Sequence, residues 1–320
     1  MLNDTTAQVL SLLLADARVS GEEIATRLGV SRAAVWKNIE LLRTIGYQID
    51  SAPGQGYSVT SSPDIPLPQE VMRLLPSSPL NWHIEYLDHC VSTNTLLKEK
   101  ATLGAAEGMV LVTDHQTAGR GRRGRQWADR PGCALLFSVL LRPPLPPAGL
   151  MPLTLIIGVA VAEALQSMGV NCTLKWPNDI LVNGAKICGI LAEISGEPDH
   201  TEYAIVGIGI NVRSHPDLSD YAATSLDQHI VPPQRAEILA AVLHQISRAY
   251  LDFVAGKTLA ILNRWESMSA TIDREVVAHT ASGDVRGTAV GLDPKGALLL
   301  RTTDGRVIVI STGEVSLRHQ

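Results

Sequence analysis

Seven consecutive residues carry the most unusual chemistry of the chain: Gly119-Arg120-Gly121-Arg122-Arg123-Gly124-Arg125, four arginines and three glycines. Glycine lets the backbone approach a ligand closely and adopt positive φ. Each guanidinium offers a planar fork of donors suited to carboxylate or phosphate. Such a loop repels itself, so it is expected to order only around an anion. No GxxxxGK[ST] is present and no acidic residue follows at the required distance, which sets aside a P-loop and a dinucleotide-binding turn. A single seven-residue copy also differs from the arginine–glycine tracts that coat nucleic acid.

Further candidates lie on either side. Lys175-Trp176-Pro177-Asn178-Asp179 precedes Lys186-Ile187-Cys188-Gly189-Ile190-Leu191, and Gly207-Ile208-Gly209-Ile210-Asn211 closes a strand. A lysine between Ala185 and Ile187 is costly unless it meets an anion or reaches water at a strand mouth. Asn178 and Asn211 each carry a donor–acceptor pair that suits an adenine edge or a turn, and Trp176 reads as core. Ser92-Thr93-Asn94 either caps a helix or binds a neutral ligand with a carbonyl and N–H groups. The nine histidines show no HExxH-type spacing, so no protein metal site is assigned.

Elements must hold these segments together. At roughly 150 residues per domain, 320 residues imply two domains, or three if some are small. Strands are expected at 83–87, 109–113, 133–141, 187–194 and 203–212. Ile238, Leu239, Val242, Leu243, Ile246, Tyr250 and Phe253 repeat at helical spacing within 233–256. From about residue 271, Ser282-Gly283-Asp284, Asp293-Pro294-Lys295-Gly296 and Asp304-Gly305 punctuate short strands, as in a small all-β barrel. Residues 61–68 hold three prolines and form a stiff linker.

The balance of 27 bases against 32 acids argues against a chain built to coat nucleic acid or anionic lipid, but leaves room for a local basic site. Cys90, Cys133, Cys172 and Cys188 are too widely spaced for CxxC and read as buried thiols in a reducing compartment. The first residues carry no basic signal region. The apolar run Leu150 to Ala162 is broken by Pro152 and Thr154 and falls short of a membrane span. The expected location is the cytoplasm, without a membrane partner.

The first sixty residues have helix-turn-helix spacing. Ser20-Gly21-Glu22-Glu23 reads as a capping box, with the Glu23 carboxylate reaching back, and Gly29-Val30-Ser31 turns the chain into a helix from Arg32 to Ile45. Val35, Ile39 and Leu42 face inward. Ser31 caps the helix, and Arg32, Ala33, Trp36, Lys37 and Arg43 are left outward or at its edge for phosphates and base edges. Tyr47 to Asp50, a turn at 53–56 and Tyr57 to Val59 form a wing. Five bases against six acids leave this module with a net charge of −1, so tight DNA binding calls for a dimer.

In order and spacing these segments resemble the biotin–protein ligase family, and with the flanking modules the whole chain resembles its bifunctional ligase/biotin operon repressors. The resemblance implies an α+β fold: a winged helix-turn-helix at 1–62, a central mixed α/β ligase domain with a class II aminoacyl-tRNA synthetase-like sheet at 69–270, and an SH3-like β-barrel at 271–320. It implies ATP-dependent formation of biotinyl-5′-AMP, accompanied by Mg2+, and transfer of biotin to a lysine of the biotin carboxyl carrier protein. Ser92, Thr93, Asn94, Gln116, Gly119, Arg120, Arg122, Lys186 and Gly189 would hold biotin. Arg122, Arg125, Asn178, Asp179 and Asn211 would hold the adenylate, with Lys186 and Arg122 catalytic. Asp179 would help with magnesium or orient its neighbours. Ser31, Arg32, Ala33, Trp36 and Lys37 would meet operator DNA, with the adenylate promoting a homodimer. The expected adenylate-covering segment, 212–226, lacks a tryptophan. The alternatives are a biotin-sensing repressor without ligase activity and a lipoate-type ligase, for which the ureido-binding trio has no use.

Overall fold

The computed structural model describes residues 2–52, 55–214 and 222–317. The N-terminal helices are α1 (Asp4–Ala15), α2 (Gly21–Leu28) and α3 (Arg32–Ile45). Ser20 Oγ accepts the Glu23 amide at 3.0 Å, and Ser31 Oγ accepts the Ala34 amide at 3.1 Å. Gly29, at φ 66°, turns the chain between α2 and α3. The Glu23 carboxylate does not complete the capping box: it pairs with Arg27 one turn along.

Val35, Ile39 and Leu42 are buried beneath α3. Ser31, Arg32, Ala33, Trp36 and Lys37 are all exposed. Arg43 lies at the helix edge, where its guanidinium donates to the Ile49 carbonyl at 2.6 Å and pairs with Glu40. It fastens α3 to the wing, an antiparallel hairpin of β1 (Gln48–Ala52) and β2 (Gly56–Ser61). Two wing-turn residues, 53 and 54, lie outside the described residues.

Beyond the linker comes α4 (Pro68–Leu74), with proline in its first turn, where a missing N–H costs nothing. One compact unit comprises Met1–Leu75 and Gln234–Ala240. Within it the almost fully buried Arg235 donates its backbone amide to Asp64 Oδ1 at 2.7 Å.

The second unit is Pro76–Pro233 with Ala241–Gln320. Its elements begin with β3 (His83–Leu87), α5 (Thr93–Thr102), β4 (Met109–Thr113), β5 (Ala134–Leu141) and α6 (Leu153–Ser167). Next come β6 (Thr173–Lys175), β7 (Asp179–Val182), β8 (Ala185–Glu197) and β9 (His200–Asn211). These strands form one sheet in the order β3-β4-β5-β9-β8-β7-β6, with β3 and β4 parallel and the other neighbours antiparallel. β6 and β7, of three and four residues, carry too short a pattern to be read from sequence.

α6 is buried around nearly its whole circumference, including Gly158, Ala160 and Ala162. By length and composition Pro147–Ser167 passes for a membrane span, yet 72% of its apolar window is buried inside the fold, so it is a core helix. α7 (Arg235–Val254), shared between the two units, buries all seven residues of its apolar repeat, and α8 (Thr258–Ser267) follows.

The C-terminal region is a five-stranded antiparallel sheet, ordered β13-β12-β11-β10-β14. Its strands are β10 (Glu275–Thr280), β11 (Gly283–Leu292), β12 (Leu298–Arg301), β13 (Val307–Ile310) and β14 (Glu314–Leu317). Trp176 ties this region to the central sheet: its amide donates to Thr271 Oγ1 at 3.0 Å and its indole N–H to the Gly296 carbonyl at 3.1 Å. That buried position agrees with reading Trp176 as core.

Candidate active site

A cavity of about 430 Å³ opens over the central sheet. Its floor includes Gly189 on β8 and Gly207 and Gly209 on β9, where Gly189 and Gly209 are cross-strand neighbours. A Cβ on Gly207 would lie 2.3 Å from Asn94 Oδ1, and one on Gly209 would lie 2.6 Å from the Trp127 ring. These glycines therefore make room for two side chains. The absence of a side chain, rather than backbone freedom, is what the site uses.

At one end stands the start of α5. Gln116 Oε1 accepts from the Thr93 amide at 2.8 Å and lies 3.2 Å from Thr93 Oγ1. Buried Ser138 places its hydroxyl 2.6 Å from both Thr93 Oγ1 and Asn94 Oδ1. Asn94 Nδ2 donates to Glu193 at 2.7 Å, and Arg120 donates to the same oxygen at 3.1 Å. This polar chain carries the geometry of the Ser92–Thr93–Gln116 corner to the glycine–arginine loop. Ser138 and Glu193 give no local sequence signal, since they lie 44 and 99 residues from Asn94.

The loop crosses the cavity as a strap. Its tip is a 3₁₀ turn with Arg123 at φ 56° and Gly124 at φ 76°. Arg122 donates to the Gly313 carbonyl at 3.1 Å and faces Asn178 Oδ1 at 3.4 Å. Burial lowers the Arg122 pKa, while Glu314 and Asp179 pull it back up. Arg125 pairs with Glu314. The anions that meet this loop belong to the chain itself: Glu193 faces Arg120 and Glu314 faces Arg125.

Across the cavity Lys186 Nζ lies 2.6 Å from Asp179 Oδ1 and 5.8 Å from the centre of the Trp127 ring. Its backbone pairs with Ala222 and Thr224. Lys175 also lines the cavity, and burial holds its pKa below the usual lysine value, with Asp179 opposing and Lys186 reinforcing that shift. Asn178 is locked to β8 through the Ile190 carbonyl at 3.0 Å.

The structure brings Ser92, Thr93, Asn94, Gln116, Arg120, Arg122, Arg125, Asn178, Asp179, Lys186 and Gly189 to the cavity. It does not bring Gly119 or Asn211 there. Gly119 is buried against the Trp127 carbonyl. Asn211 is buried, with its amide donated to the Thr224 carbonyl at 2.9 Å, so it pins the chain that returns to Lys186. Of the expected covering segment, 215–221 lies outside the described residues. Trp127, Lys175 and Glu314 are lining residues that the motif reading did not assign. An aromatic ending the arginine loop, opposite Gly-x-Gly on a strand, was the available signal for Trp127.

Among the described residues no group of three or more His, Cys, Asp or Glu side chains could hold a metal ion. The arrangement suits the joining of two anions: cations converge from the strap, β6 and β8, beside a neutral polar corner.

Residues 87–211 match the Biotin/lipoate A/B protein ligase family, residues 5–58 an HTH domain, and residues 271–318 the Biotin protein ligase C terminal domain. The chain is 37% identical to the bifunctional ligase/repressor BirA of Bacillus subtilis over 294 residues, covering 90% of both chains. It is 33% identical to BirA of Escherichia coli over 328 residues, covering 99% of both. The biotin protein ligase of Aquifex aeolicus, solved with biotin and ATP, superimposes with a TM-score of 0.64 at 34% identity, over 74% of this chain and 99% of that one. The chain belongs to the biotin protein ligase family, in its bifunctional ligase/repressor form.

Proposed function

We propose that this ligase forms biotinyl-5′-AMP beneath the strap, then transfers biotin to a lysine of a biotin carboxyl carrier protein. In the first step a biotin carboxylate oxygen attacks the α-phosphorus of ATP, and the bond to pyrophosphate breaks. In the second the carrier amine attacks the acyl carbon, AMP leaves with the acyl–oxygen electron pair, and the nitrogen loses its proton. Both steps gather negative charge, so positioned cations contribute more than a general base.

The observation that carries this reading is the convergence of Arg122, Arg125 and Lys186 on a cavity whose other end is the Ser92–Thr93–Gln116 corner. We assign the ureido ring to that corner, the reacting carboxyl to Lys186, and the phosphate to Arg122 and Arg125. Asn94 and Gly189 support the biotin end, Asn178 the nucleotide end. Asp179 holds Lys186 in place. Among the described residues no carboxylate cage for magnesium is present, and the metal would enter on the triphosphate.

The DNA-binding unit makes the ligase a repressor as well. In this proposal biotinyl-5′-AMP is the corepressor, the loaded chain dimerises in the cytoplasm, and Ser31, Arg32, Ala33, Trp36 and Lys37 meet the operator. Pyrophosphate release and carrier labelling test the enzymatic half, with lipoate as the competing acid. Biotin-dependent release with carrier labelling is expected. Release driven equally by lipoate, or biotin binding without release, would overturn it.

A further inference from the structure

The strap has two feet, and they are held differently. The outgoing foot is stitched into the fold by backbone bonds, Cys90 N–H to the His115 carbonyl, Thr117 N–H to Cys90 and Ala118 N–H to Val91, at 2.9–3.0 Å. Where the strap returns, Trp127 N–H reaches the Gly119 carbonyl at 2.9 Å and Gly132 N–H reaches Asp114 at 3.2 Å. Between those two rungs stands Asp129. Its side chain is 1% exposed, and its Oδ2 lies 2.8 Å from His115 Nδ1 on the outgoing foot. Its other oxygen is buried without a hydrogen bond. Fixing a buried carboxylate this way is costly unless the bonds it makes, to the His115 ring and the Gln116 amide, both on the outgoing foot, are needed.

Neither residue lines the cavity. Both lie close in sequence to residues that do: His115 directly precedes Gln116, which holds Thr93, and Asp129 comes two residues after Trp127, which lies against Gly189 and Gly209. We infer that His115 and Asp129 form a clasp at the base of the strap, a positioning pair that sets how long the strap stays down over the acyl-adenylate. The inference rests on the proposed ligase reading and adds a determinant of intermediate retention that touches no reacting atom. Arg125 and Trp127, both on the returning limb, are the groups it positions.

The test measures release of preformed biotinyl-5′-AMP from the full-length chain, with trypsin cleavage at the strap arginines of the substrate-free protein as a second readout. His115→Ala and Asp129→Ala should each accelerate release and cleavage about tenfold, the size of one lost charge-assisted bond. The double variant should be no faster than either single, and Asp129→Asn, which keeps an acceptor for the His115 ring, should restore slow release. Biotin affinity and Tm identify a variant that simply misfolds. Should Asp129→Ala misfold, His115→Gln tests the same bond from the exposed side, with faster release expected. Unchanged release in folded single variants, or additive effects in the double variant, overturns the clasp. Failure of the wild-type chain to form or retain the adenylate would instead count against the ligase reading.

Discussion

Cations serve this molecule in two places, under opposite conditions. Around the cavity they are gathered and given partners: Arg120 on Glu193, Arg125 on Glu314 and Lys186 on Asp179. On α3 they are few and open to solvent, with Arg32 and Lys37 exposed around a Trp36 that is 58% exposed, in a module with more acids than bases. The first arrangement is preorganised, because the fold's own carboxylates offset the repulsion of assembling it and leave the guanidinium forks aimed at one space. The second has little charge with which to hold a polyanion. The proposed dimer would offset this by presenting the same weak surface twice.

The sharpest way to break that contrast is Lys186→Ala. Loss of one positioned cation should slow single-turnover adenylation by about 2.7–4 kcal/mol in barrier, or roughly a hundredfold to a thousandfold, while operator-like DNA binding by adenylate-loaded protein should persist. A loss below tenfold removes Lys186 from the reacting carboxyl. Next in size, Gly209→Val places methyl groups where the Trp127 ring lies 2.6 Å from the would-be Cβ. Biotin affinity measured by calorimetry should fall, and the overpacking should also lower stability by about 1–3 kcal/mol, read as a lower Tm. Unaltered affinity would show that neither the floor nor the indole touches biotin.

On the other side of the contrast, Lys37→Ala should weaken operator-like DNA binding several-fold and reduce the slope of log affinity against log salt by about one phosphate contact. Adenylation should be unaffected, and an unchanged slope would place Lys37 off the DNA. The smallest effect concerns pH. Burial favours the neutral form of Lys175, so its charge is present below its depressed pKa and lost as pH rises through it. KM for ATP should rise on the alkaline side earlier than an ordinary lysine would dictate. Lys175→Met should flatten that limb, and an identical alkaline profile in the variant would show that the Lys175 charge does not act on ATP.

What could be read from sequence follows the range of the interactions. The burial of Val35, Ile39 and Leu42, the α7 repeat and the strap are local patterns, and each is found where composition and spacing put it. Groups recruited from afar were not legible. Ser138 and Glu193 complete a polar chain from three separate segments, and Glu314 reaches Arg125 across 189 residues. Asn211 and Arg43 each donate to a backbone carbonyl, Thr224 and Ile49, partners that motif and helical spacing do not reveal. The α6 helix hid its period because every face is packed.

The central claim is that the strap's cations hold the acyl-phosphate. A crystal structure of the full-length chain with biotinyl-5′-AMP tests it most directly. Arg122 and Arg125 are expected within hydrogen-bond distance of the phosphate oxygens, having exchanged the Gly313 carbonyl and Glu314 for the ligand. A phosphate bound away from both guanidinium groups, with those internal contacts intact, would contradict it.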